Sequence, residues 1–256
     1  MKKKSLSVLC LVLGLLLAVA GCAKEVRLTP YERFEAANSK LEEVPAYSMD
    51  LSMVMSLVME EATIEVTTTG TSKQRTSDGE ILMEQVLVMN MMGQEVTTRQ
   101  WYADGMFYQE AMGQKQAIAT PIEELRSQLL SGGMDFTKES IKSESAEGNT
   151  LTFVLDGQKL IDLVMAQMSG ITGMLGEQSS IHIGDIHMVV VVDEDNNMVS
   201  TNMDFPMDIS IDLSEQGIEE PMEMSITASV VCDNIQVGEV EINLPADLDS
   251  YTLVDA

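Results

Sequence analysis

From Tyr47 onward the chain alternates. Tyr47, Met49, Leu51, Met53, Met55, Leu57 and Met59 take the odd positions, and Ser48, Asp50, Ser52, Ser56 and Glu60 fall between them. Successive side chains of a strand point to opposite faces, so a period of two predicts a strand with one apolar face and one wet face. The pattern returns at Ile81, Met83, Leu87, Met89 and Met91. It is clearest over 199–213, where Val199, Thr201, Met203, Phe205, Met207, Ile209, Ile211 and Leu213 oppose Ser200, Asn202, Asp204, Asp208, Ser210 and Asp212. A further run sets Met222, Met224, Ile226, Ala228 and Val230 against Glu223, Ser225, Thr227 and Ser229. Strands of about ten to fifteen residues are long and favour a curved sheet. Turn signals at Asp78-Gly79, Gly93-Gln94, Asp104-Gly105, Gly113-Gln114 and Gly148-Asn149, and from Asp193 to Asn197, predict an antiparallel meander.

Three segments switch to a helical period. Thr29-Pro30-Tyr31-Glu32 combines an N-cap threonine, proline at the first helical position and a glutamate that closes a capping box; Tyr31, Phe34 and Leu41 follow, and Pro45 marks the exit. Thr120-Pro121-Ile122-Glu123 repeats that opening, with Ile122, Leu125, Leu129 and Leu130 on one stripe up to Gly132-Gly133. A third stripe begins near Asp156 and runs through Leu160, Leu163, Val164, Met168, Ile171 and Leu175. Three helices do not alternate with single strands, which argues against a doubly wound α/β fold. The expected class is α+β: a long curved antiparallel sheet, a half-barrel, with about three helices packed on its concave apolar face.

The N-terminus speaks to location. Lys2, Lys3 and Lys4 precede an apolar run from Leu6 to Ala20, the length of a signal-peptide core and short for a membrane span. The run ends in Val19-Ala20-Gly21-Cys22, which resembles the lipobox of bacterial lipoproteins. That resemblance implies a signal peptide over 1–21, lipid attachment at Cys22 and a tether over 22–28. A single domain then spans 29–256. Two acyl chains on one cysteine hold where one would exchange. The expected location is the outer face of the cytoplasmic membrane, in a Gram-positive type of envelope.

Charge narrows the partners. With 41 acidic and 15 basic residues the net charge is −26, and loss of the signal lysines makes it more negative. Nucleic acid is excluded, because phosphate neutralisation needs lysine and arginine. Adhesion to anionic lipid is disfavoured for the same reason. Of three cysteines, Cys10 leaves with the signal and Cys22 carries lipid. Cys232 has no partner for a disulfide and continues an apolar register, so a buried inert thiol is expected.

Methionine is overused: 21 residues against five phenylalanines and one tryptophan. Well-specified cores favour Leu, Ile and Val, whereas flexible thioethers suit adaptable surfaces. The candidate lining for a hydrophobic ligand is Tyr47, Met49, Leu51, Met53, Met55, Leu57, Met83, Leu87, Met89, Met91, Met203, Phe205, Met207, Ile209, Met222, Met224 and Ile226. The alternative is a closed Met-rich core. Copper(I) would also suit thioethers. However, these methionines share the apolar register with Leu, Ile and Phe, and His182 and His187, at odd spacing, project to opposite faces, so no metal site is assigned. Asp193, Asp195 and Asn197 echo a calcium loop but lack its glycine, since Met198 stands at the sixth position; a charged hairpin turn fits better. Neither G-x-S-x-G nor a glycine-rich phosphate loop occurs, so the chain reads as no enzyme and needs no cofactor. Trp101, Tyr102, Phe107 and Tyr108 cluster on one predicted hairpin, either as cross-strand packing or as the rim of a cavity.

The capped helix and long first strand (Leu41 to Met59), the Asp-Gly hairpin from Trp101 to Tyr108, and a final strand over Ile242 to Leu248 closing on Pro245 resemble the lipoprotein-carrier superfamily. That superfamily is typified by LolA and the mycobacterial LppX and LprG proteins, and uncharacterised Gram-positive lipoproteins share the layout. The resemblance implies an apolar cavity between sheet and helices that holds acyl chains, and no catalytic residues. The expected function is non-covalent binding of a lipid or other hydrophobic molecule by a membrane-anchored protein. The competing expectation is a non-enzymatic envelope interaction module, with a closed core and an acidic surface for a protein partner.

Overall fold

The computed structural model describes residues 28–59, 62–77, 79–122, 136–161, 179–211 and 221–254. The first helix forms as expected: α1 spans Pro30–Glu43. Thr29 Oγ1 accepts from the Glu32 amide at 3.2 Å, and the Glu32 carboxylate accepts from the Thr29 amide at 2.7 Å. The Thr29 N–H, foremost, holds the Glu32 carboxyl below its usual range. Phe34 and Ala37 form the buried stripe, and the chain leaves through Val44-Pro45.

The strands are β1 Ala46–Met59, β2 Ala62–Ser77, β3 Glu80–Met91, β4 Gln94–Ala103, β5 Met106–Ala111, β6 Gln114–Ala119, β7 Ile141–Glu147, β8 Thr150–Leu155, β9 Ser179–Ile183, β10 Ile186–Val192, β11 Met198–Ile211, β12 Met222–Val237 and β13 Thr252–Val254. They build one open, curved sheet in the order β13-β6-β5-β4-β3-β2-β1-β12-β11-β10-β8-β7, with β9 also paired to β11. All pairings are antiparallel except β13 with β6. β1 lies centrally, flanked by its hairpin partner β2 and by β12 from the far end of the chain. Of the three expected helices, α1 is the one α-helix among the described residues. A 3-10 turn at Gly157–Leu160 stands where the third begins, and the bodies of the second and third lie outside the described residues.

Three hairpins use turns with positive φ at both central residues: Met92-Gly93 (52° and 78°), Asp104-Gly105 (53° and 75°) and Met112-Gly113 (50° and 78°). This is the type I′ geometry that matches strand twist. The turns expected at Gly93-Gln94 and Gly113-Gln114 therefore fall one residue earlier, because glycine takes the second left-handed position and methionine is left in the first. Gly70 of β2 is required for a different reason. A Cβ there would stand 2.0 Å from the Val86 carbonyl oxygen, so the backbones of β2 and β3 approach at this point as only glycine allows.

The sheet is covered differently on its two faces. On one, Phe34 of α1 stacks on Phe136 at 4.7 Å, and both meet Phe153 of β8 at an angle. Leu151, Leu155, Val190, Met207, Ile209 and Ile226 complete this core. On the other face the segment 238–251 crosses β2 to β6 as a strap. This corrects the expectation of a strand over Ile242 to Leu248: the strap bonds to side chains instead of a neighbouring strand. Asn243 donates its amide to Glu84 and accepts at its carbonyl from Trp101 Nε1, while Lys73 donates to the Glu241 carbonyl. Lys115 pairs with Asp247 at 2.5 Å, and Tyr251 packs against Trp101 and Tyr108.

Candidate functional site

The strand registers decide which side chains share a face. Met53 lies opposite Val230 on one side and Thr68 on the other; Leu57 lies opposite Ile226 and Ile64. Met203, Phe205, Met207 and Ile209 oppose Val230, Ala228, Ile226 and Met224, and Ile211 opposes Met222. On the other side of β1, Gly70 opposes both Leu51 and Leu87, Thr68 opposes Met89, and Val66 opposes both Met55 and Met91. Directly opposed residues point the same way. Tyr47, Met49, Leu51, Met53, Met55, Leu57, Met83, Leu87, Met89, Met91, Met203, Phe205, Met207, Ile209, Met222, Met224 and Ile226 therefore lie on one face, and it is the face that carries α1.

Burial along that face is graded. Met203, Met207, Ile209, Met224 and Ile226 are packed in the core with Phe34, and Met83 is buried with Ile81 and Tyr102. Tyr47, Met49, Leu51, Met53, Met55, Leu57, Leu87 and Phe205 are half-buried. Met89 and Met91, at 41% and 46% exposure, and Met222, at 37%, mark the end of the sheet where the apolar face meets water. Burial pushes the Tyr47 hydroxyl up to about 12, with Cys232 and Glu42 adding to the effect. That hydroxyl donates to Gln74 Oε1 at 3.2 Å.

The same face carries no charge. Across β1 to β6, β11 and β12, every residue in this register is apolar or neutral polar, whereas Glu65, Lys73, Arg75, Glu84, Glu95, Arg99 and Glu110 sit in the opposite register. Within the neutral face runs a row that the sequence reading missed. Ser72, Gln85, Gln100, Gln109 and Gln116 lie directly opposite one another on β2 to β6. Each glutamine occupies the apolar register of its own strand, which is the signal that could have exposed it. Only the register across strands makes it a row.

Two grooves of another kind lie among the described residues. The larger, about 490 Å³, is on the charged face between Val54, Ser56, His187, Asp204, Pro206 and Thr227. The smaller, about 300 Å³, lies between the end of α1 and the β10–β11 turn, against Leu41, Val44, Met198 and Ile235. The histidines correct an expectation. Gly184 and Asp185 interrupt the strand between β9 and β10, so His182 and His187 both fall on the charged face, opposite Asp208 and Asp204. Those partners stand four residue steps apart on β11, about 13 Å, too far for one ion.

The Asp193 turn is a hairpin connection. Its carboxylate accepts from the amides of Asp195 and Asn197 and from the Asn197 side chain, and the Asn197 amide leads in holding it below its usual range. The turn docks on α1 through Asn196, which donates to the Arg33 carbonyl, and through Lys40, which donates to Asp195. Cys232 is buried and free, with its thiol pushed up by burial. The aromatic hairpin divides between faces: Tyr102 opposes Phe107 on the methionine face, and Trp101 opposes Tyr108 under the strap. No helix among the described residues is long and apolar enough to cross a membrane.

No protein-family profile and no curated protein matches the chain. Among solved structures, LprF from Mycobacterium bovis is 12% identical over 85% of this chain and 97% of that one, with a TM-score of 0.41. A DUF1329 family protein from Desulfovibrio piger is 9% identical over 84% and 93%, with a TM-score of 0.26. The chain is similar to LprF and to the DUF1329 protein at these levels of identity and overlap.

Proposed function

We propose that this chain is an extracytoplasmic lipoprotein, anchored through Cys22, that holds a hydrophobic or lipid molecule non-covalently against its methionine-rich face. The observation that supports the reading is the burial gradient along one uncharged, methionine-rich face. Over β11 and β12 it is closed by α1 and the phenylalanines, while Met49, Leu51, Met53, Leu87, Met89 and Met91 keep part of their surface accessible. Apolar area removed from water contributes roughly 25 cal/mol per Å², so an acyl chain laid on these residues gains affinity without bond chemistry or cofactor. Unbranched thioethers adapt to chains of differing length.

Native mass spectrometry of residues 23–256 incubated with membrane lipid extract tests this. Lipid-mass adducts are expected, and Met53→Trp with Leu87→Trp should abolish them by filling the half-buried zone. These positions serve better than Met207, which lies in the packed core. A clean apo mass would sink the reading. It would favour the alternative of an envelope interaction module, for which the groove of about 490 Å³ beside Asp185, Asp204 and His187 offers an acidic docking surface.

A further inference from the structure

We propose that the row Gln85–Gln100–Gln109–Gln116 binds the head of the ligand, and that this head is uncharged and rich in both hydrogen-bond donors and acceptors. The inference rests on the reading of the methionine face as the ligand surface, and it names which amphiphile that surface accepts.

The row stands in an unusual place. Adjacent strands are about 4.8 Å apart, so four glutamines on successive strands present a polar band about 14 Å long. One register step along the strands lies the apolar row Met83, Tyr102, Phe107 and Ile118; a step the other way lie Leu87, Thr98 and Ala111. The band is thus bordered by the apolar face on which a tail would lie. Gln85, Gln100 and Gln109 are half-buried, and among the described residues no side-chain hydrogen bond is formed by any of the four amides. Each amide offers two donors and an acceptor, so partly desolvated amides without partners favour a ligand that supplies both.

Charge selects the class. A chain of net charge −26 puts no lysine or arginine in this register from β1 to β6, so nothing on the face compensates a phosphate or carboxylate brought into it. A hydroxyl-rich or amide-bearing neutral head meets the glutamines without that cost.

The test uses the full chain in vesicles that contain one of two photoactivatable diacyl lipids with identical tails. One carries a diglucosyl head and the other a phosphoglycerol head. Labelling of peptides from residues 47–116 is read by mass spectrometry. The diglucosyl lipid is expected to label about tenfold more than the anionic one, as befits one or two hydrogen bonds gained. Gln100→Leu with Gln109→Leu should bring the two within twofold while total labelling persists. Equal or greater labelling by the anionic lipid in the unaltered chain overturns the proposal, as does a preference that survives the double substitution. Labelling by neither lipid removes the ligand surface itself, and the proposal with it.

Discussion

Tyr251 stands edge-on to Trp101, with 6.5 Å between ring centroids and 89° between planes. Its own ring also meets Tyr108, and Lys115 lies 5.3 Å from its centroid. The contact pins the end of the strap to the charged face of the sheet.

Removing that pin should free the strap. Tyr251→Ala deletes a nearly buried ring and is expected to cost about 3 kcal/mol. Trp101 is the single tryptophan and is 6% exposed under the strap, so its fluorescence reports directly. A red-shifted emission in the folded variant, together with a lower denaturant midpoint, is the expected result. An unchanged spectrum would mean that the hydrogen bond from Trp101 Nε1 to Asn243 holds the strap unaided.

The two Met-Gly turns offer a gain. Met92 and Met112 sit at left-handed φ with 79% and 83% of their surface exposed, whereas the Asp104-Gly105 turn uses a residue suited to that conformation. Met92→Asn and Met112→Asn should each stabilise the chain by about 0.5–1 kcal/mol in urea denaturation. A loss instead would show that these exposed thioethers make apolar contacts worth more than the backbone strain.

Tyr47 predicts an alkaline signature. Its hydroxyl titrates at about 12 in the folded chain against an ordinary value of 10.0, so the unfolded chain loses this proton first. Stability from this group is therefore intact below pH 10 and declines between pH 10 and 12, by about 2 kcal/mol. Tyr47→Phe removes the titration but also the bond to Gln74, which costs about 1 kcal/mol at neutral pH. Stability curves of the two proteins should cross in that alkaline window. Parallel curves would disprove the shift.

Gly70 predicts the opposite of tolerance. Gly70→Ala drives a methyl group into the Val86 carbonyl and should cost more than about 2 kcal/mol, a value set by overpacking against backbone. The measurement is thermal unfolding; a change below about 0.5 kcal/mol would mean the sheet relaxes there without penalty.

Much of this was legible from residue pattern. Alternation placed Met53, Met83, Met203 and Met224 in apolar registers, and all four share one face. Thr29 and Glu32 announced α1, and Asp104-Gly105 its hairpin. Three things were not legible. His182 and His187 changed parity because Gly184 and Asp185 break a strand that sequence spacing treats as continuous. The strap reads as a strand in the sequence, because Ile242, Leu244 and the proline look the same whether their backbone meets a strand or the side chains of Glu84 and Trp101. The glutamine row needs the cross-strand register, which turn geometry sets and composition does not.

The seam between β1 and β12 has a temporal consequence. β2 to β6 follow β1 as successive hairpins and can pair as soon as they are made, but the other edge of β1 waits for Met224 to Val237, near the end of the chain. Until then fourteen residues rich in methionine present open amides and carbonyls along an apolar strand. Such distant pairing is slow because the closure entropy falls due before any contact is made. A nascent chain halted before residue 222 cannot make the seam at all. The interval between the making of β1 and the making of β12 is therefore when this strand is most exposed to aggregation or to capture by whatever shields it.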